Sequence, residues 1–164
     1  MKNLSTSNKE DEKFMKLAIA RAKGGVLKRQ TPFGACIVKD GKVISCVHNK
    51  VWNDTDITAH AEVMAIREAC KKIKSIDLSG SVIYSTCEPC PMCFSACHWA
   101  RISKIVYGTS ISDARDMGFD ELFISNKKMK RAGGSSIKVI GGCLKSDNLE
   151  LFRMWSRRRD KRIY

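Results

Sequence analysis

Cysteines at 87, 90 and 93 fall within STCEPCPMC, residues 85–93, at C-x-x-C-x-x-C spacing. Thiolates this close suit a metal: an iron–sulfur cluster, a structural zinc or a catalytic zinc. Pro89 and Pro91 sit where a helix would start, because proline is tolerated in a first turn. On that helix Cys90 and Cys93 are three residues apart and share a face, so two thiolates can reach one ion. The helix N-terminus also favours thiolate over thiol. Cys87 stands before Pro89 at the end of a predicted strand, within reach but with another geometry. An iron–sulfur cluster needs a fourth cysteine, and Cys97 would lie inside the helix.

A third partner lies upstream. His60, in TAHAEV, opens a second predicted helix, so His and two Cys meet from two helix tips. Three protein ligands leave a fourth tetrahedral position for water, as in a catalytic zinc, whereas a structural zinc is closed by four. Glu62 is two residues from His60. In mid-helix the two would diverge, but in a first turn the carboxylate can face the water instead of the metal. Thr58 as N-cap puts both there. A carboxylate so placed can take a proton from water acidified by zinc.

The elements that must hold these residues alternate between helix and strand. Residues 8–23 read as an amphipathic helix with Phe14, Leu17, Ala18 and Arg21 at helical spacing, ended by Gly24-Gly25. ACIVKDGKVISCV reads as a hairpin around Asp40-Gly41. Residues 59–73 form the helix after His60, with Val63, Ile66, Cys70 and Ile73 in register. SVIYST, KIVYGT and IKVI are strands, and LELFRMWSRR closes the chain as a helix with Leu149, Phe152 and Trp155 on one face. This pattern predicts an α/β sandwich around one sheet.

The length of 164 residues predicts one domain, 1–164, whose last part, 146–164, is a helix and tail. No apolar run reaches the 18 or more residues of a membrane span, and the polar start MKNLSTSNKEDEKF lacks the apolar core of a secretory signal. Eight cysteines without such a signal predict reduced thiols in a cytoplasm. The net charge is +13, with basic groups at 127–131, 157–162 and Lys71, Lys72 and Lys74. Such charge attracts nucleic acid or acidic membranes, but no aromatic residues interleave with it in sequence as a stacking platform needs.

HAE followed by PCPMC resembles the H-x-E…P-C-x-x-C signature of the zinc-dependent nucleobase deaminases. The resemblance implies a cytidine deaminase-like fold, a three-layer α-β-α sandwich on a mixed five-stranded sheet. It implies one Zn2+ per chain on His60, Cys90 and Cys93, with Glu62 as proton shuttle and Cys87 a neutral thiol packed beneath. Among these deaminases the chain is most similar to the bacterial-type guanine deaminases, from Phe14 to Tyr164. TPFGACIVKDGKVI, HNKVWND, TAHAEVMAIREAC, YSTCEPCPMC, ACHWAR, DARDMGFDELFI and the final tyrosine carry that likeness. It implies hydrolysis of guanine to xanthine and ammonia, with Glu121 as a second acid where the family often has Asp. Phe33, Asn49, Ala61, Trp99 and Tyr164 would then contact the purine. It also implies a homodimer whose C-terminal segments are exchanged. NDTDITAH is a residue longer than usual before the motif, and RMWSRRRDKR is unusually basic. A tRNA adenosine deaminase is the second reading, followed by another base or nucleoside; a non-catalytic zinc-binding RNA module is opposed by the intact Glu62.

Overall fold

The computed structural model describes residues 4–164, with side chains from Lys9 onward. Helices α1 (Leu4–Leu27), α2 (Val51–Asp54), α3 (Ala61–Ile73), α4 (Pro91–Trp99), α5 (Ile111–Asp116), α6 (Asn126–Gly133) and α7 (Lys145–Ser156) flank five strands. The strands are β1 (Gly34–Lys39), β2 (Lys42–His48), β3 (Val82–Cys87), β4 (Lys104–Thr109) and β5 (Lys138–Ile140). They form one sheet in the order β2-β1-β3-β4-β5. β1 is antiparallel to β2 and β3, while β3, β4 and β5 run parallel. The sheet is therefore mixed, as expected.

Strand alternation sorts the core into two layers. Ala35, Ile37, Ile83 and Ile105 face one way, onto α3 and α4. Cys36, Val38, Tyr84 and Val106 face the other way, onto α1 and Leu151 of α7. The three-layer sandwich follows from that alternation. Asp40 and Gly41 both have positive φ, 51° and 71°, the requirement of a two-residue hairpin turn whose twist matches its strands.

Three local readings are corrected. α1 continues through Gly24-Gly25 to Leu27. Gly25 permits a close approach: a Cβ there would press on the His48 ring. The left-handed residue after the helix is Arg29, at φ 63°. Thr58 does not cap α3. It donates its N–H and hydroxyl to Asp56 Oδ1, at 2.8 and 2.7 Å, and the helix begins two residues later with His60 as N-cap. The deep face of α3 is a row of alanines, Ala61, Ala65 and Ala69, whereas Val63, Ile66, Cys70 and Ile73 are half-buried. Alanines bring the helix close enough for Ser45 Oγ on β2 to donate to the Ala65 carbonyl at 2.8 Å.

Because β1 is antiparallel to β3, its start lies beside the ends of β2 and β3. Phe33, Asn49, Glu88 and Ser110 thus leave the sheet at one edge, outside the carboxyl ends of the parallel strands, where α/β sheets carry ligands.

Candidate metal centre and active site

Two helix starts meet at that edge. His60 and Cys90 are N-cap residues with extended backbones, ψ 151° and 167°, and neither side chain caps its own helix. Pro91 occupies the first position of α4 and Cys93 the third. The donor atoms of His60, Cys90 and Cys93 all lie within 4.8 Å of one another, and no other such cluster occurs among the described residues. His60 Nδ1 is 3.7 Å from Cys90 Sγ and 3.5 Å from Cys93 Sγ. Nitrogen and sulfur bonded to one tetrahedral zinc stand about 3.6 Å apart, given bonds of about 2.1 and 2.3 Å. The donor set and its spacing both fit zinc. The Cys90 thiol is pulled down to about 4, chiefly by the hydrogen bond from Cys93 and further by His60, so one thiolate is in place at neutral pH.

Glu62 is buried at the second position of α3. Ser85, on the central strand, donates its hydroxyl to Glu62 Oε1 at 2.9 Å, while Oε2 faces Cys93 Sγ at 3.5 Å. Burial pushes the Glu62 carboxyl above its ordinary range. Glu121 lies in the irregular segment after α5, and its Oε2 is buried without a hydrogen-bond partner. Burial first, and then the Cys90 thiolate, push its carboxyl up to about 8. Glu121 is thus a buried acid without a hydrogen-bond partner beside the ligand cluster.

A cavity of about 320 Å³ opens here, lined by His60, Cys90, Met92, Phe119, Glu121 and Tyr164. A narrower recess reaches Phe33, Asn49, Glu62 and Glu88. Asn49 is fully buried; its Oδ1 accepts from the Val51 N–H at 3.0 Å, and its Nδ2 donates to the Tyr164 hydroxyl at 2.7 Å. The Tyr164 ring stands 5.5 Å from the His60 ring. Phe33 meets Phe119 edge-on at 4.9 Å. Ala61 separates ligand from carboxylate as the first residue of α3. Its methyl group is buried in the core, leaving its N–H as the group it can present.

Trp99 does not join them. It is 84% exposed and lines a separate groove with His98 and Arg101. The cause is geometric: α4 carries it away from Cys90 by about 13 Å, nine residues at about 1.5 Å each. Cys87 also stays outside the cluster. Its thiol donates to the Ser110 carbonyl at 3.6 Å, and burial holds it well above the ordinary thiol range. Ser85 and Glu88 take part in the architecture without any mark in the sequence pattern.

Residues 8–109 match the model of the cytidine and deoxycytidylate deaminase zinc-binding region. The chain belongs to that deaminase family. It is 40% identical over 154 residues to the guanine deaminase of Bacillus subtilis (strain 168), a match covering 93% of this chain and 98% of that protein. A tRNA-specific adenosine deaminase of Agrobacterium fabrum (strain C58) is 33% identical over 150 residues, 92% of this chain and 95% of the relative. The solved structure of a guanine deaminase from Nitrosomonas europaea superposes with a TM-score of 0.83 at 25% identity, over 90% of this chain and 85% of that one. Guanine deaminases and tRNA-specific adenosine deaminases are both among its relatives, so membership of the family accounts for the zinc ligands and does not choose the base.

Proposed function

We propose that this chain hydrolyses guanine to xanthine and ammonia, acting as one deaminase domain over residues 1–164. The observation that carries the reading is the match to a guanine deaminase, which runs well past residues 8–109 and covers 93% of the chain. His60, Cys90 and Cys93 would hold a zinc ion, which would supply an acidified water with its pKa lowered toward about 7. Glu62 does the proton work. Ser85 fixes one of its oxygens, and the other takes a proton from the water as the water oxygen bonds to C2, then passes that proton to N3. As the C2–N bond breaks, the amino group leaves as ammonia with a proton from Glu121, whose carboxyl is pushed up to about 8, or from Glu62 once it has collected the proton of the new C2 hydroxyl, which becomes the carbonyl. Phe33 and Phe119 offer apolar surface to the ring, and Asn49 offers its amide to the polar edge.

The test is ammonia release from guanine, guanosine, adenine, cytosine and a tRNA anticodon stem-loop. Guanine should be preferred, and no turnover of guanine would end the reading. The second reading, adenosine in tRNA, is supported by the Agrobacterium relative and by the +13 charge. It requires release from the stem-loop, with binding that weakens steeply as salt rises.

Residues 157–164 follow α7 and bring Tyr164 over the cavity, with Arg162 stacked 4.3 Å above the Trp52 ring. We read this tail as a lid that excludes water and completes the substrate contacts. Deleting residues 162–164 should cut guanine deamination by about tenfold or more, about 1.4 kcal/mol of transition-state stabilisation, with zinc content unchanged. Full activity of the truncated protein would make the tail a surface appendage. The same reading includes a homodimer with tails exchanged between two copies. It draws support from the apolar rim of the cavity, where Leu122 is 70% exposed and Met92 37%. A solution mass of a single chain would remove it. A cytoplasmic location completes the reading. It rests on eight free thiols, two of them needed as metal ligands; no helix among the described residues is long and apolar enough to cross a membrane.

A further inference from the structure

Glu88 lies between the end of β3 and the Pro89-Cys90 start of α4. Its carboxylate is almost fully buried, and its hydrogen bonds run to backbone donors. Oε2 accepts from the Ile111 N–H at 3.1 Å, and Oε1 accepts from the Asn126 N–H at 2.8 Å. These two donors open α5 and α6. The Asn126 side chain returns the tie by donating to the Pro89 carbonyl. One dipeptide thus holds both ends of a segment that leaves at residue 111 and comes back at residue 126.

Between the two ends, residues 117–125 form no strand or helix. They carry Phe119, which packs on Phe33 and Tyr164, and Glu121, the unpartnered acid of the cavity. Closing a loop of this length costs entropy, and a carboxylate gripping both ends offsets that cost where the walls of the cavity are set. The two-oxygen acceptor is essential to the grip. An amide has one oxygen and one NH2 group, and an NH2 turned toward either backbone N–H places donor against donor, so one end is released.

We propose that Glu88 is a positioning residue for the deamination site: its carboxylate pins both ends of segment 111–126 and so sets where Phe119 and Glu121 stand against the metal ligands. The proposal rests on the deaminase reading above for its kinetic consequence, but its structural content is independent of which base is turned over.

Two variants of the zinc-loaded protein test it. Glu88→Gln spoils one acceptor. Ile111→Pro removes one donor and leaves the carboxylate intact, at a first helical position where proline is tolerated. Both should keep one zinc per chain. In both, amide hydrogen exchange across residues 117–125 should accelerate by about tenfold, while β3 and β4 stay protected. In a double-mutant cycle with Glu121→Gln, the loss of kcat/KM caused by Glu121→Gln should shrink by about fivefold in the Glu88→Gln background, because a displaced Glu121 has less to lose. Unchanged exchange in 117–125 overturns the proposal, as do additive effects in the cycle. Loss of zinc or of the folded state in both variants also overturns it, making Glu88 a general support of the fold. A wild-type protein inactive on every base would end the deaminase reading, and the exchange measurement would still decide whether the carboxylate pins the segment.

Discussion

Glu62→Gln should yield a folded protein with one zinc per chain and guanine turnover lowered by about a hundredfold or more, the usual scale for general acid–base work. The substitution conserves shape. Ser85 can still donate its hydroxyl to the remaining side-chain oxygen, so the central strand keeps its hold on the side chain. What disappears is the carboxylate oxygen on the ligand side, 3.5 Å from Cys93 Sγ, and with it the capacity to accept and return a proton. A hundredfold corresponds to about 2.7 kcal/mol of transition-state stabilisation. Steady-state kinetics with metal analysis on the same sample checks it. Near-normal turnover in a zinc-loaded variant would take Glu62 out of the mechanism.

Metal content should separate three cysteines that look alike in sequence. Cys90→Ala and Cys93→Ala should each lose zinc, and with it activity, because each removes one of three converging donors. Cys87→Ala should keep about one zinc per chain, since all three ligands remain. Cys87 spends its proton on the Ser110 carbonyl, and burial makes it costly to ionise. Its removal leaves a small cavity beside Phe152 and Trp155, which should lower the thermal midpoint without touching the ligands. Zinc loss in the Cys87 variant would overturn the ligand assignment.

The metal site is legible in the sequence because its signals are local. Prolines mark one helix start, and a histidine and a carboxylate two apart make sense at another. The hairpin is legible for the same reason, since Asp40-Gly41 demands its turn. The partners that tune the site are not legible. Ser85 reaches Glu62 across 23 residues and Glu88 reaches Asn126 across 38, contacts that exist once β3 has been placed between β1 and β4. Trp99 shows the opposite error: family likeness suggests a ring on the purine, while helix geometry carries it to another face. The short helices α5 and α6, of six and eight residues, are too short for an apolar period to stand out in the sequence, yet their caps can be read. Ser110 and Asp113 form a capping box, and Ser125 accepts from the Lys128 N–H at 3.3 Å.

The segment 117–125 lends no strand to the sheet and no ligand to the metal, and it is tied down where the neighbouring helices begin. Leu122, Phe123 and Ile124 within it are 70%, 49% and 39% exposed. Surface positions of this kind tolerate exchange within about 0.5 kcal/mol, whereas the packed helix starts around His60 and Cys90 do not. The outward positions of this stretch can therefore drift at little cost to the fold, while Phe119 and Glu121 beside them, which line the cavity, cannot change without altering its walls.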